Sequence, residues 1–148
     1  MTDSSQASEC ISVAVLVSGS GTLLQAIIDN RGTYSVDLVV ADVECPALDR
    51  ARKAGIRTEV VQLGGDRNEW NVRLRDTVAS VNPDVVVSAG FMKIVGEEFL
   101  ERFEGALINT HPALLPAFPG AHAVRDALAY GVKAVSYTHL TLPTTPYV

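Results

Sequence analysis

Cysteine is nearly absent: of 148 residues only Cys10 and Cys45 carry thiols, and neither lies in a C-x-x-C pair or a Cys/His cluster with zinc-ligand spacing. A disulfide scaffold and a zinc module are therefore not expected, and two reduced thiols suit a cytoplasmic protein. Long apolar runs are missing too. Val13–Val17 and Val85–Val87 fall far short of the roughly 20 residues a membrane-spanning helix needs. A basic excess is also lacking, since 12 Lys and Arg stand against 17 Asp and Glu, a formal charge of −5. That sign opposes non-specific adhesion to nucleic acid and leaves room for a local cationic pocket around a small anion. The leader Met1–Glu9 has no basic start, no apolar stretch before Ile11 and no small-residue cleavage site, so no export signal is expected.

What is present suits one globular domain: 47% hydrophobic and 20% charged residues, too apolar for a disordered chain. Apolar runs bounded by turn residues alternate with stretches of helical period, the pattern of a parallel sheet covered on both faces. The runs predict strands at Ile11–Val17, Val36–Ala41, Arg57–Leu63, Asp84–Ala89 and Ala106–Thr110. Helices are predicted at Thr22–Asn30, Pro46–Ala54, Asn68–Val81, Gly96–Phe103 and His122–Tyr130. Pro46 suits a first helical turn, and Gly55 and Gly131 fall where left-handed C-caps are wanted. Right-handed crossovers then give a doubly wound, mostly parallel α/β sheet whose ligands gather at the carboxyl ends of the strands.

Three segments follow such strand ends. Ser18-Gly19-Ser20-Gly21-Thr22 joins a strand to a helix, and its glycines let backbone N–H groups approach an anion such as phosphate, or simply make a tight turn. The third glycine of a dinucleotide fingerprint is absent at Leu24, and so is the Gly-Lys-Ser/Thr of a P-loop. Asp42 has two readings, a ribose-binding acid of a nicotinamide-dependent dehydrogenase or a solvated loop carboxylate. Ser88–Val95 ends a strand in glycine and offers Met92 and Ile94 as core residues or as a wall for a flat heteroaromatic ligand. Arg67, ahead of a helix, meets an anionic ligand group or only solvent. Asn109 and His111, at i and i+2 in a strand, share a face. They pair an oxyanion-stabilising amide with an imidazole able to exchange protons at neutral pH, unless His111 is only a satisfied strand-end residue.

Together, Val-Leu-Val-Ser-Gly-Ser-Gly-Thr-Leu-Leu-Gln-Ala-Ile-Ile at 15–28, Ala-Gly-Phe-Met-Lys-Ile at 89–94 and Asn-Thr-His-Pro-Ala-Leu-Leu-Pro-Ala-Phe-Pro-Gly at 109–120 resemble the phosphoribosylglycinamide formyltransferases, from Val13 to Lys133. The resemblance implies a Rossmann-like formyltransferase fold. It also implies formyl transfer from 10-formyltetrahydrofolate to the amine of 5′-phosphoribosylglycinamide in purine biosynthesis, with these two small molecules as ligands and no metal. On it, Gly21, Thr22 and Leu23 hold the phosphate, and Arg67, Met92, Lys93, Ile94, Val95 and Asn109 hold the folate. Asn109 and His111 are then catalytic, and His122 borders the site. Leu23 stands where many members have asparagine and Lys93 where many have arginine. A formyltetrahydrofolate hydrolase of the same fold and an inactive phosphate-binding fragment are the alternatives.

Beyond Lys133 the resemblance stops. Ala134–Val148 has no Asp, Glu, Lys, Arg or Gly, and the aspartate that polarises the family's histidine finds no counterpart after Asp126. The expectation is a formyltransferase unit over 1–133, with a polar leader at 1–10, incomplete at its C-terminus and followed by a non-family tail at 134–148. Such a chain should turn over poorly.

Overall fold

The computed structural model describes residues 10–93, 95–111 and 138–142. These form β1 (Ile11–Val17), α1 (Thr22–Asp29), β2 (Tyr34–Ala41), α2 (Pro46–Lys53), β3 (Thr58–Val60), α3 (Arg67–Ala79), β4 (Val85–Ser88), α4 (Glu97–Arg102), β5 (Leu107–His111) and β6 (Thr138–Leu142). The expected helix His122–Tyr130 and the cap at Gly131 lie outside the described residues.

The strands make one sheet in the order β3-β2-β1-β4-β5-β6. β1 through β5 pair in parallel, while β6 runs antiparallel to β5, from Leu107 opposite Leu142 to His111 opposite Thr138. The chain winds outward from β1 to β3, then returns to lay β4 on the other side of β1. That reversal makes a topological switch point at the carboxyl ends of β1 and β4.

Both faces of the sheet are covered at β1 and β2, as the unbroken apolar run Val13–Val17 requires. Val13, Val15 and Val17 pack with Leu24 and Ile28 of α1 and with Ala47, Leu48 and Ala51 of α2. On the opposite face Ala14 and Leu16 pack with Trp70, Leu74 and Val78 of α3 and Phe99 of α4. β2 meets both layers through a bulge: Val13 pairs with Val36 but Ala14 pairs with Leu38, which leaves Asp37 as the extra residue. The bulge lets Val36 join Val39 and Ala41 in the first layer, while Leu38 and Val40 enter the second.

Helix ends follow local chemistry. Pro46 opens α2, and Gly55, at φ 75°, closes it. Its N–H bonds the Arg52 carbonyl while Ile56 N–H reaches back to Ala51, the double bond of a Schellman ending. The Asp66 carboxylate accepts the Asn68 N–H and starts α3.

Two differences from the sequence expectation have physical reasons. β3 stops at Val60 rather than Leu63 because β2, its one partner strand among the described residues, ends at Ala41. The following Val61 carbonyl accepts the Trp70 indole N–H at 2.8 Å, so this apolar stretch packs under α3 instead of extending a ladder. β6 was not foreseen, since Thr138–Leu142 sits in the segment set apart by composition; here it lies beside β5.

Candidate functional site

Across the sheet, Leu16, Ser88 and Asn109 lie side by side in β1, β4 and β5. The segments leaving these strands therefore start at one level along the carboxyl edge. After β1, Gly21 caps α1 with φ 82°. A Cβ there would sit 2.6 Å from the Ala47 Cα and 2.7 Å from its Cβ, so glycine is demanded both by the left-handed backbone and by the approach of α2. The turn is tied to α2 further: Ala47 N–H donates to the Gly19 carbonyl at 3.0 Å, and Arg50 Nε donates to the Ser20 carbonyl at 2.7 Å. Thr22 is exposed at the start of α1, and Leu23 is half-buried against the first core layer.

Asp42, at the end of β2, is buried, contrary to its reading as a solvated carboxylate. Its Oδ1 accepts the Ser18 hydroxyl at 2.7 Å and its Oδ2 the Lys93 ammonium at 2.7 Å, with the carboxylate side chain only 2% exposed. Both oxygens are engaged within the protein, which argues against a ribose-binding role and with it the dehydrogenase reading. Nearby Glu44 is different, an exposed carboxylate held below the usual range chiefly by its hydrogen bond from Arg52.

The segment after β4 turns at Gly90, φ 77°. Phe91 then points inward and stacks on Trp70 with ring centroids 6.2 Å apart and planes 5° from parallel. Met92 is 58% exposed, its N–H donating to the Ser18 hydroxyl oxygen at 2.8 Å. Lys93 reaches back to Asp42, and Val95 packs on the second core layer. Ile94 lies outside the described residues.

The amino end of α3 braces this segment from the other side. The Arg67 guanidinium lies 5.2 Å from the centroid of Trp70, the ring on which Phe91 stacks. One residue on, buried Asn71 donates to the Arg67 carbonyl and accepts the Gly96 N–H at 2.6 Å. Arg67 and the segment after β4 are thus neighbours through Trp70 and Asn71. Sequence reading missed Ser18, Trp70 and Asn71 as organisers of this edge. A lone tryptophan three residues after Arg67 was the available signal, because a buried indole must find an acceptor.

Asn109 is half-buried in β5, between Ser88 and Leu140, and His111 is the last residue of that strand, paired with Thr138. His111 therefore stands at the carboxyl edge beside the end of β4; its side chain, like His122, is outside the described residues. Among the described residues no three His, Cys, Asp or Glu side chains cluster as metal ligands would.

The strand order and the turns gathered at one edge define an open, doubly wound α/β protein, a class whose ligands gather at the switch point. More particularly, the chain belongs to the formyl transferase family, whose profile matches residues 11–141 and so runs past Lys133. It is 47% identical over 131 residues to the phosphoribosylglycinamide formyltransferase of Mycobacterium tuberculosis, an overlap of 85% of this chain and 61% of that protein. It is 39% identical over 128 residues to the protein of that name from Escherichia coli, covering 82% of this chain and 60% of the relative. Among solved structures, glycinamide ribonucleotide transformylase 1 from Symbiobacterium toebii matches with a TM-score of 0.86 at 35% identity, over 93% of this chain and 68% of that one. The chain thus spans about three fifths of the length of the two curated relatives.

Proposed function

We propose that this chain carries the substrate turn and the catalytic strand of a phosphoribosylglycinamide formyltransferase acting in the cytoplasm. The observation that carries the reading is the meeting of the Gly21 turn, the Met92–Val95 segment and the Asn109–His111 strand end along one sheet edge in a chain of this family. In this reading the ribonucleotide phosphate lies against the backbone of Gly21, Thr22 and Leu23, where the N–H groups opening α1 have no intrahelical partners. The formyl-folate lies along Met92, Lys93, Ile94 and Val95, with Arg67 and Asn109 flanking it. Since the Lys93 ammonium is engaged by Asp42, this segment meets the pteridine chiefly through its backbone.

The chemistry is acyl transfer without a metal. The glycinamide nitrogen attacks the formyl carbon of 10-formyltetrahydrofolate, and the carbonyl electrons move onto oxygen. The Asn109 amide donates to that oxyanion, an interaction stronger in the transition state than in the ground state. As the tetrahedral intermediate collapses and its bond to the folate nitrogen breaks, His111 gives its proton to that nitrogen as general acid, and the proton lost by the attacking amine returns to the imidazole.

The test titrates the purified chain with glycinamide ribonucleotide, then adds 10-formyltetrahydrofolate and follows tetrahydrofolate release. Saturable ribonucleotide binding, with all release requiring the ribonucleotide, is expected. Release to water without it would identify a hydrolase, and a chain that fails to bind the ribonucleotide would overturn the proposal.

A further inference from the structure

Asp42, Ser18 and Met92-Lys93 leave β2, β1 and β4, three adjacent strands, and meet in one junction around the buried Asp42 carboxylate. We propose that Asp42 is a positioning residue: its carboxylate orients the Ser18 hydroxyl and anchors Lys93, so that Ser18 fixes the Met92 backbone and locks the segment after β4 against the turn after β1.

The argument follows the proton on Ser18. A hydroxyl has one proton to donate, and an ionised carboxylate can only accept. With Asp42 Oδ1 at 2.7 Å, the Ser18 proton is committed to Asp42, which leaves the hydroxyl lone pairs to the Met92 N–H at 2.8 Å. Donation to a charged acceptor polarises the hydroxyl and strengthens the second bond. Lys93 supplies the second anchor one residue along, so two consecutive residues of the segment are held by one carboxylate, directly or through Ser18. An asparagine at 42 would offer one oxygen for two donors and turn an N–H₂ toward the other. Nothing in this junction needs a ligand, so the brace is a property of the free protein.

Its consequence for ligands rests on the function proposed above: Met92 and Lys93 are held in place before a ligand arrives, and folate binding is spared the cost of ordering them. The segment also shares a rigid joint with the ribonucleotide turn, so occupancy of one site favours the other. By linkage the effect is reciprocal.

The experiment has one readout without ligand and one with it. Amide hydrogen exchange on the free protein should show Met92 protected, with exchange about tenfold or more faster in Ser18→Ala and Asp42→Asn while core amides of β1 remain slow. Ser18→Thr, which keeps the hydroxyl, should restore protection, and Lys93→Arg should retain it where Lys93→Met does not. With 10-formyl-5,8-dideazafolate as probe, the unprotected variants should bind about tenfold more weakly and lose the gain that glycinamide ribonucleotide confers. Unchanged Met92 exchange in Ser18→Ala would overturn the brace, as would faster exchange spread evenly over the β1 amides. A wild-type protein that shows Met92 protection but binds no folate analogue would sink the functional reading and leave the brace standing.

Discussion

Gly21→Ala should destabilise the protein strongly, whereas Gly19→Ala two residues away should be nearly silent. At Gly21 two costs add. Holding a residue with a Cβ at φ 82° costs about 1–2 kcal/mol, and contacts of 2.6 and 2.7 Å to Ala47 force α2 outward for about 1–3 kcal/mol more. The sum is about 2–5 kcal/mol, and at about 2–4 °C of Tm per kcal/mol the expected fall is about 4–20 °C. At Gly19 an added Cβ meets no atom within 4 Å, and the expected change is within about 0.5 kcal/mol. Urea denaturation followed by circular dichroism, with thermal melts beside it, measures both. Two variants equally stable, or Gly21→Ala indistinguishable from wild type, would refute the claim that α2 packs on the turn. Because α2 moves, Gly21→Ala should also weaken ribonucleotide binding, and a Gly19→Ala protein that keeps its affinity serves as the folded control.

The catalytic reading makes a kinetic prediction. In protein competent for turnover, Asn109→Ala should lower kcat by about 10²–10³-fold with little change in KM. His111→Ala should act similarly, and the double variant should lose less than the product of the two if both serve one intermediate; near-normal turnover in either single variant removes that residue from the mechanism. Trp70→Phe keeps a ring under Phe91 but leaves the Val61 carbonyl without its indole donor, so a loss of about 1–3 kcal/mol is expected in a urea titration read by circular dichroism. If that loss is absent, the 2.8 Å bond contributes nothing to stability.

Sequence alone determined the features that depend on near neighbours. β1 was legible because a strand buried on both faces reads as a near-continuous apolar run, here Val13–Val17, and α2 because Pro46 and Gly55 mark its two ends. The Gly21 turn and the Asn109–His111 strand end were legible for the same reason, since each is a run of adjacent residues at a strand terminus. Asp42 was not. A carboxylate after a strand looks solvated until β1 and β4 are laid beside β2, which brings Ser18 from 24 residues away and Lys93 from 51. Tertiary structure also decided where β3 stops, because Val61–Leu63 is apolar enough for a strand and only the end of β2 and the indole of Trp70 assign it to the packing under α3. The second demand for glycine at position 21 belongs there too: φ is a local matter, but the collision with Ala47 exists only once α2 has docked. Composition likewise separated Thr138–Leu142 from the rest, whereas β5 had an unpaired side and an antiparallel ladder asks of its partner chiefly backbone N–H and C=O groups.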